Sequence, residues 1–300
     1  MSQDPRDRTV AWRDLLTETS QRLAAGGVEG AAQEARWIVE EASGLEGPEW
    51  VLGSDEAATV GGVARLDDMV RRRTAGEPVQ YVLGHWAFRQ LDLMVDRRVL
   101  IPRPETEQVV EVALAELDRI LAARPPAHRP VVVDLGTGSG AIALSFAVER
   151  PGCDVWAIER SADALAVARA NLAGLGMAGM AVRMSAGTWF DALPVNLRGA
   201  VDLVVTNPPY VAAADQLPRS VAEWEPMEAL VPGPSGMEAH RQLVAAAPTW
   251  LAPGGAFVAE IGAGQGPDVL ALAAAAGLTA GRVEPDLAGL PRAVVARRPG

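Results

Sequence analysis

The chain has 300 residues, more than a single core usually holds, so two domains, or one with a sizeable extension, are expected. It is 49% hydrophobic and 22% charged, which is the balance of a globular protein, and no apolar stretch approaches the length that spans a bilayer. A formal net charge of −11 argues against a protein that grips long nucleic acid, because such proteins carry a basic footprint. One cysteine, Cys153, cannot form an internal disulfide, and three scattered histidines (His85, His128, His240) give no zinc spacing. The opening residues are charged and precede no apolar leader core, so a cytoplasmic protein without membrane contact is expected.

Residues 11 to about 75 read as helices separated by glycine. Trp12, Leu15, Leu16 and Leu23 share helical spacing, Gly26-Gly27 interrupts, and Ala35, Trp37, Ile38 and Val39 open a second apolar face. A small helical bundle over 1–75 is therefore expected, with Arg71-Arg72-Arg73 as the charged last turn of a helix. Gly76-Glu77-Pro78 breaks that helix. From Val79 to Leu100 the alternation predicts a β-hairpin, with Tyr81-Val82-Leu83 and Phe88 on one arm and Leu91, Leu93 and Val95 on the other, a stiff linker over 76–100. Ile101-Pro102-Arg103-Pro104-Glu105-Thr106-Glu107 is stiffened by its prolines, and Pro104 suits the first turn of a helix over Val109, Val110, Val112 and Leu114.

From Pro130 onward apolar strands alternate with helices, the pattern of a parallel sheet covered on both faces, so 101–300 is expected to be an α/β domain. Strands are predicted over Val131–Leu135, Asp154–Ile158, Ala181–Met184, Val201–Thr206 and Gly255–Ile261, with two late runs, Leu278–Val283 and Ala293–Ala296, able to close the sheet. Helices are predicted over Ala141–Val148, Ala162–Leu172 and Met237–Leu251.

Two strand ends carry chemistry. Asp134-Leu135-Gly136-Thr137-Gly138-Ser139-Gly140 lets the backbone pass close to a ligand at a helix N-terminus, but Gly136, Gly138 and Ala141 also satisfy the dinucleotide pattern. Glu159, ending the second strand, can accept from both hydroxyls of a ribose in either cofactor class. The second site is Asn207-Pro208-Pro209-Tyr210, which follows the β-branched run Val201–Thr206. Consecutive prolines supply no donors and hold the chain extended, so this tip presents acceptors. An amide-type NH2 is a weak nucleophile, and the Asn207 Oδ1 and the Pro208 carbonyl could hold both its hydrogens while Tyr210 stacks on its planar group.

Asp134 before the glycines, together with Asn207-Pro208-Pro209-Tyr210, resembles the class I methyltransferases that use S-adenosyl-L-methionine and act on amide or exocyclic nitrogens. The resemblance extends to Gly76-Glu77-Pro78-Val79-Gln80-Tyr81, Ile101–Glu107, Glu225-Pro226, Pro253-Gly254-Gly255, Glu260-Ile261-Gly262 and Asp286–Arg292. These are similar to the peptide chain release factor N5-glutamine methyltransferase (PrmC/HemK) family. That resemblance implies a Rossmann-like seven-stranded sheet behind a helical substrate-recognition domain and a hairpin linker. It implies that S-adenosyl-L-methionine, leaving as S-adenosyl-L-homocysteine, meets Arg103, Glu105, Thr106, Asp134, Gly136, Thr137, Gly138, Gly140, Glu159, Arg160, Thr188, Trp189 and Asn207. It also implies substrate contacts from Asn207, Pro208, Pro209 and Tyr210, the first, second and last of them catalytic, no metal, and class 1 release factors as partners through the glutamine of their Gly-Gly-Gln loop. The chain departs from the family at Gly187-Thr188-Trp189, where an acid commonly meets the adenine amino group, and in the proline-rich loop Val231–Gly236. Two alternatives share the same site chemistry: methylation of a ribosomal-protein glutamine, and N6-adenine methylation of a flipped base stacked on Tyr210.

Overall fold

A computed structural model describes residues 9–300. The chain divides between His85 and Trp86 into two compact units. The first contains α1 (Trp12–Ala25), α2 (Ala31–Ser43), α3 (Gly47–Gly53), α4 (Val60–Thr74) and α5 (Val79–Leu83). Leu15 and Leu23 of α1, Ile38 and Val39 of α2, Leu66 and Val70 of α4, and Val79 and Val82 of α5 form one apolar cluster. The arginines ending α4 are committed within this unit. Arg72 donates to both oxygens of Glu77 (2.9 and 2.8 Å) and to the Tyr81 carbonyl (2.7 Å), Arg73 pairs with Glu34, and Arg71 with Asp68.

Tyr81-Val82-Leu83 is helical, which corrects the expected hairpin arm. Pro78 enters the turn with its carbonyl accepting from Tyr81 and Val82 (3.0 and 3.1 Å), and Gly84 closes it at φ 87°. Val79 and Val82 lie three residues apart, so one helical turn buries both in the cluster, and that burial overrides the β-branched character of the run. The hairpin is correspondingly shorter: β1 (His85–Phe88) pairs with β2 (Leu91–Met94).

After the hairpin, the second unit continues with α6 (Pro104–Ala122), β3 (Val131–Leu135), α7 (Ala141–Glu149), β4 (Asp154–Glu159), α8 (Ala162–Gly174), β5 (Val182–Ala186) and β6 (Val201–Thr206). Then come α9 (Arg219–Ala222), α10 (Glu238–Trp250), β7 (Leu251–Glu260), α11 (Gly266–Ala275), β8 (Thr279–Pro285) and β9 (Pro291–Arg297). The sheet order is β5-β4-β3-β6-β7-β9-β8; β9 is antiparallel to both of its neighbours and the remaining pairs are parallel. Every residue of β6 is buried, as a central strand covered on both faces requires. Among the described residues, no helix is long and apolar enough to cross a membrane.

The antiparallel end of the sheet is tied to α6 by one carboxylate. Glu116, buried, accepts from Arg119 (2.9 Å), Arg282 (2.9 Å) and Arg297 (2.7 and 3.0 Å). Burial pushes its carboxyl up, but the bonds from Arg297, Arg119 and Arg282 outweigh burial and hold it at about 2. Glu116→Gln should lower stability by about 2–4 kcal/mol, because it strands charges gathered around a buried partner. Urea unfolding midpoints of variant and parent test this; equal midpoints would show that the arginines are satisfied by water.

Candidate active site

β3 and β6 are neighbours, but the chain leaves β3 toward β4 and leaves β6 toward β7, so their carboxyl ends border a crevice at the reversal point of the strand order. A solvent-open cleft of about 940 Å³ lies there, and both sequence motifs reach it. On the β3 side, the Gly136 and Thr137 amides donate to the Ile158 carbonyl (2.9 and 3.0 Å), which ties the glycine loop to the end of β4. Gly136, Gly138 and Gly140 have φ of 78°, 57° and 91°, a region that side chains rarely adopt. A Cβ on Gly136 would also come within 3.3 Å of the Trp189 ring.

Glu159 is pre-set at the cleft wall. Its Oε2 accepts from the Gly138 amide and its Oε1 from the Ser161 amide, both at 2.9 Å, which leaves each oxygen further acceptor capacity. Asp134 sits behind the loop, fully buried, and does not line the cleft. Its Oδ2 accepts from the Thr137 hydroxyl (2.5 Å) and the Ala143 amide (3.1 Å), its Oδ1 has no partner, and burial pushes its carboxyl up to about 7. It therefore shapes the glycine loop from beneath.

On the β6 side, Asn207 and Pro209 line the cleft, Pro208 is buried, and Tyr210 is half-buried beyond them. The Asn207 Nδ2 donates to the Thr106 Oγ1 (3.1 Å), the Thr106 hydroxyl donates to the Glu260 Oε2 (2.7 Å), and the Tyr210 hydroxyl donates to the Glu260 Oε1 (3.1 Å). Burial pushes both the Glu260 carboxyl and the Tyr210 hydroxyl up. The Tyr210 carbonyl accepts from the Gln265 Nε2 (2.9 Å), and Gly236 passes so close that a Cβ there would lie 2.5 Å from that oxygen.

The remaining expected residues divide. Thr137, Arg103, Arg160, Thr188 and Trp189 line the cleft. The Arg103 guanidinium is bonded to the buried Glu225 (2.5 Å), and that carboxylate also accepts from the Ile101 amide (3.1 Å). Arg160 donates to the Glu228 carbonyl and Trp189 to Gln242. Thr106 lines the cleft, but its hydroxyl is committed to protein partners. Glu105 is exposed on the first turn of α6 and Gly140 is buried under the loop, and neither lines the cleft. Glu260 was not among the residues expected here; the sequence signal for it is an acid ending the otherwise apolar run of β7.

The profile of the PrmC N-terminal domain matches residues 14–84, and that of the Methyltransferase small domain matches 115–223. The release factor glutamine methyltransferase of Cereibacter sphaeroides is 40% identical over 289 residues, covering 95% of this chain and 98% of its own length. Those of Deinococcus radiodurans and Moorella thermoacetica are 37% and 41% identical, covering 96% and 95% of this chain and 99% and 98% of their own. The chain belongs to the release factor glutamine methyltransferase family. Thr106 and Glu260 lie on either side of the small methyltransferase domain match, so the relatives' full-length similarity is what takes in these parts of the site. In this family member the cleft lies wholly within the second unit.

The buried Asp134 makes a pH prediction. Its folded pKa is raised to about 7 from 3.8, so its protonated form is favoured by folding. That contribution is complete below about pH 4 and is lost as the pH rises through 7. Asp134→Asn keeps one oxygen for Thr137 and Ala143 and removes the charge, so its stability relative to the parent should rise by up to about 1.4 kcal/mol per pH unit between pH 4 and 7. Denaturation midpoints of both proteins at several pH values test this, and parallel pH dependences would contradict it.

Proposed function

We propose that this chain transfers a methyl group from S-adenosyl-L-methionine to the side-chain amide nitrogen of the glutamine in the Gly-Gly-Gln motif of class 1 release factors. The observation that carries this reading is the orientation of Asn207. Its NH2 is used internally on Thr106, so its Oδ1 is the atom left to a ligand at the tip of β6. With the Pro208 carbonyl it makes a pair of acceptors, which is what an NH2 bearing two hydrogens requires. The names of the relatives point to a release factor in preference to the other amide or amine substrates that such a pair could hold.

The cleft suits the cofactor. Glu159 would hold the ribose hydroxyls, the Gly136 loop would follow the amino-acid end, and Trp189 and Thr188 would border the adenine. Gly136, with φ 78° and a Cβ position 3.3 Å from the Trp189 ring, lets the loop run close beneath Trp189 at the cleft wall. When bound there, S-adenosyl-L-methionine supplies an electrophilic methyl group. The protein's part is positioning: Asn207 and Pro208 aim the amide nitrogen, Tyr210 packs beside it, and the apolar wall made by Ile158, Ala164 and Pro226 limits water. Tyr210, its hydroxyl held protonated by burial, is not the base. The amide proton leaves to water once alkylation has made it acidic. The first unit, matched by the PrmC N-terminal domain and containing no cleft residue, would serve recognition of the protein substrate.

Incubation with release factor and labelled cofactor, followed by mass spectrometry of the Gly-Gly-Gln peptide, tests the reaction; an unmodified glutamine would refute it. Asn207→Ala should lower kcat/KM by about 10²–10⁴-fold, the scale of lost positioning. Glu159→Ala should weaken cofactor binding by about 1.5–3 kcal/mol through loss of charge-assisted bonds. Titration calorimetry checks the latter, and unchanged affinity would remove Glu159 from the ribose site.

A further inference from the structure

We propose that Glu260 is a positioning residue for methyl transfer, the carboxylate that decides which end of the Asn207 carboxamide faces the substrate. This inference rests on the function proposed above and adds to it a residue outside the Asn207–Tyr210 motif.

A carboxamide is nearly symmetric in shape, with an acceptor at one end and a donor at the other. If Asn207 were flipped it would present NH2 to the substrate's NH2, and two donors would meet. Prolines 208 and 209 restrain the backbone but not this choice. The choice falls to Thr106, whose hydroxyl has one hydrogen. That hydrogen goes to the Glu260 Oε2 at 2.7 Å, so toward Asn207 the Thr106 oxygen can only accept, and at 3.1 Å it takes the Nδ2 hydrogen. With the Thr106 and Tyr210 hydroxyls both donating to it, Glu260 acts in its ionised form as a pure acceptor, and in that form the polarity of the chain of bonds is set at Glu260 and read out at the Asn207 Oδ1. The other Glu260 oxygen takes the Tyr210 hydroxyl at 3.1 Å, so one carboxylate holds two of the residues proposed to meet the substrate.

The placement of Glu260 is costly, which argues against a merely stabilising role. Its side chain is bonded to two hydroxyls in a site only 1% exposed. The charge of Arg292 on β9 favours ionisation, yet that guanidinium is bonded to Asp286 at 3.0 and 3.1 Å, and Glu105 on α6 opposes ionisation. A buried carboxylate without a cation bonded to it is weak evidence for stability. The surrounding backbone fixes it all the same. Glu260 pairs with Ala293 across the β7–β9 ladder, and its carbonyl lies 2.9 Å from the Nε2 of the buried His240.

Glu260→Gln in the full-length chain tests the assignment. The new NH2 displaces one acceptor, so the order of donors and acceptors fails although shape is kept. With release factor as substrate, kcat should fall by about 10²-fold while cofactor affinity stays within about twofold and the thermal midpoint is unchanged or higher. The double variant Glu260→Gln/Asn207→Ala should be little worse than Asn207→Ala alone, because both changes remove one unit. Thr106→Val, which breaks the same chain without touching the carboxylate, should show the same non-additivity with Asn207→Ala, and it stands in if Glu260→Gln fails to fold. Multiplicative losses would overturn the proposal, as would a fall in thermal midpoint and cofactor affinity in step with kcat. A Glu260→Gln enzyme within about threefold of the parent, alongside a crippled Asn207→Ala, would overturn it and leave the methyltransferase reading intact. Unimpaired Asn207→Ala would remove the methyltransferase reading itself.

Discussion

The site depends on the parallel pairing of β3 with β6, in which Val132, Val133 and Asp134 face Leu203, Val204 and Val205. These strands adjoin in the sheet but not in the chain, and their onward connections leave toward opposite edges. No crossover helix covers their carboxyl ends, so a crevice opens where the Gly136 loop and Asn207 emerge side by side. The Thr206 hydroxyl fastens the pair at this end by donating to the Leu135 carbonyl at 2.6 Å. Slippage of one strand by one residue would exchange its two faces and take the Thr206 hydroxyl off the Leu135 carbonyl, so register and motif placement are specified together.

The cations that line the crevice are already committed. Glu159 stands in its wall, whereas the three arginines that line it, Arg98, Arg103 and Arg160, are bonded to Asp96, to Glu225 and to the Glu228 carbonyl. Such a cleft favours a ligand that brings hydroxyls, N–H groups or positive charge, and disfavours one whose binding rests on phosphates. The −11 charge of the whole chain works in the same direction. The dinucleotide alternative left open by the glycine spacing is thus weakened by the side chains that surround the loop.

Much of this was legible in the sequence where one residue type had few physical options. The β-branched run Val201–Thr206 could only be a buried strand, and the prolines after it could only end it. The glycines at 136, 138 and 140 announced a loop that side chains would strain. Tyr81-Val82-Leu83 was misread because a short apolar run is compatible with either period, and its burial against a helical cluster, invisible locally, decided for the helix. Asp134 belongs to the same motif as the glycines, yet only the fold puts it behind them. Glu260 was recognisable as part of a family motif but not as a partner of Asn207, because 53 residues of chain separate it from the β6 tip and only the β6–β7 pairing brings the two strand ends together.

That separation follows from the chemistry of a weak nucleophile. An amide nitrogen must be aimed, and the loop proposed to aim it cannot contain all of its own restraints, since each proline that stiffens it also removes a hydrogen-bond donor. The restraints therefore come from elements distant in sequence: Thr106 from the first turn of α6, Glu260 from the end of β7, and Gln265 from just before α11, which holds the Tyr210 carbonyl at 2.9 Å. Gly236 completes the set by leaving no atom where the Tyr210 carbonyl must lie. Each restraint acts on a different degree of freedom, namely the flip of the Asn207 amide, the tilt of the Tyr210 ring and the path of the backbone between them. Residues that bound one pose from independent directions lower the entropy of the reactive arrangement before any substrate arrives, and for a reaction limited by alignment, such prior ordering is what the proposed site would contribute to rate.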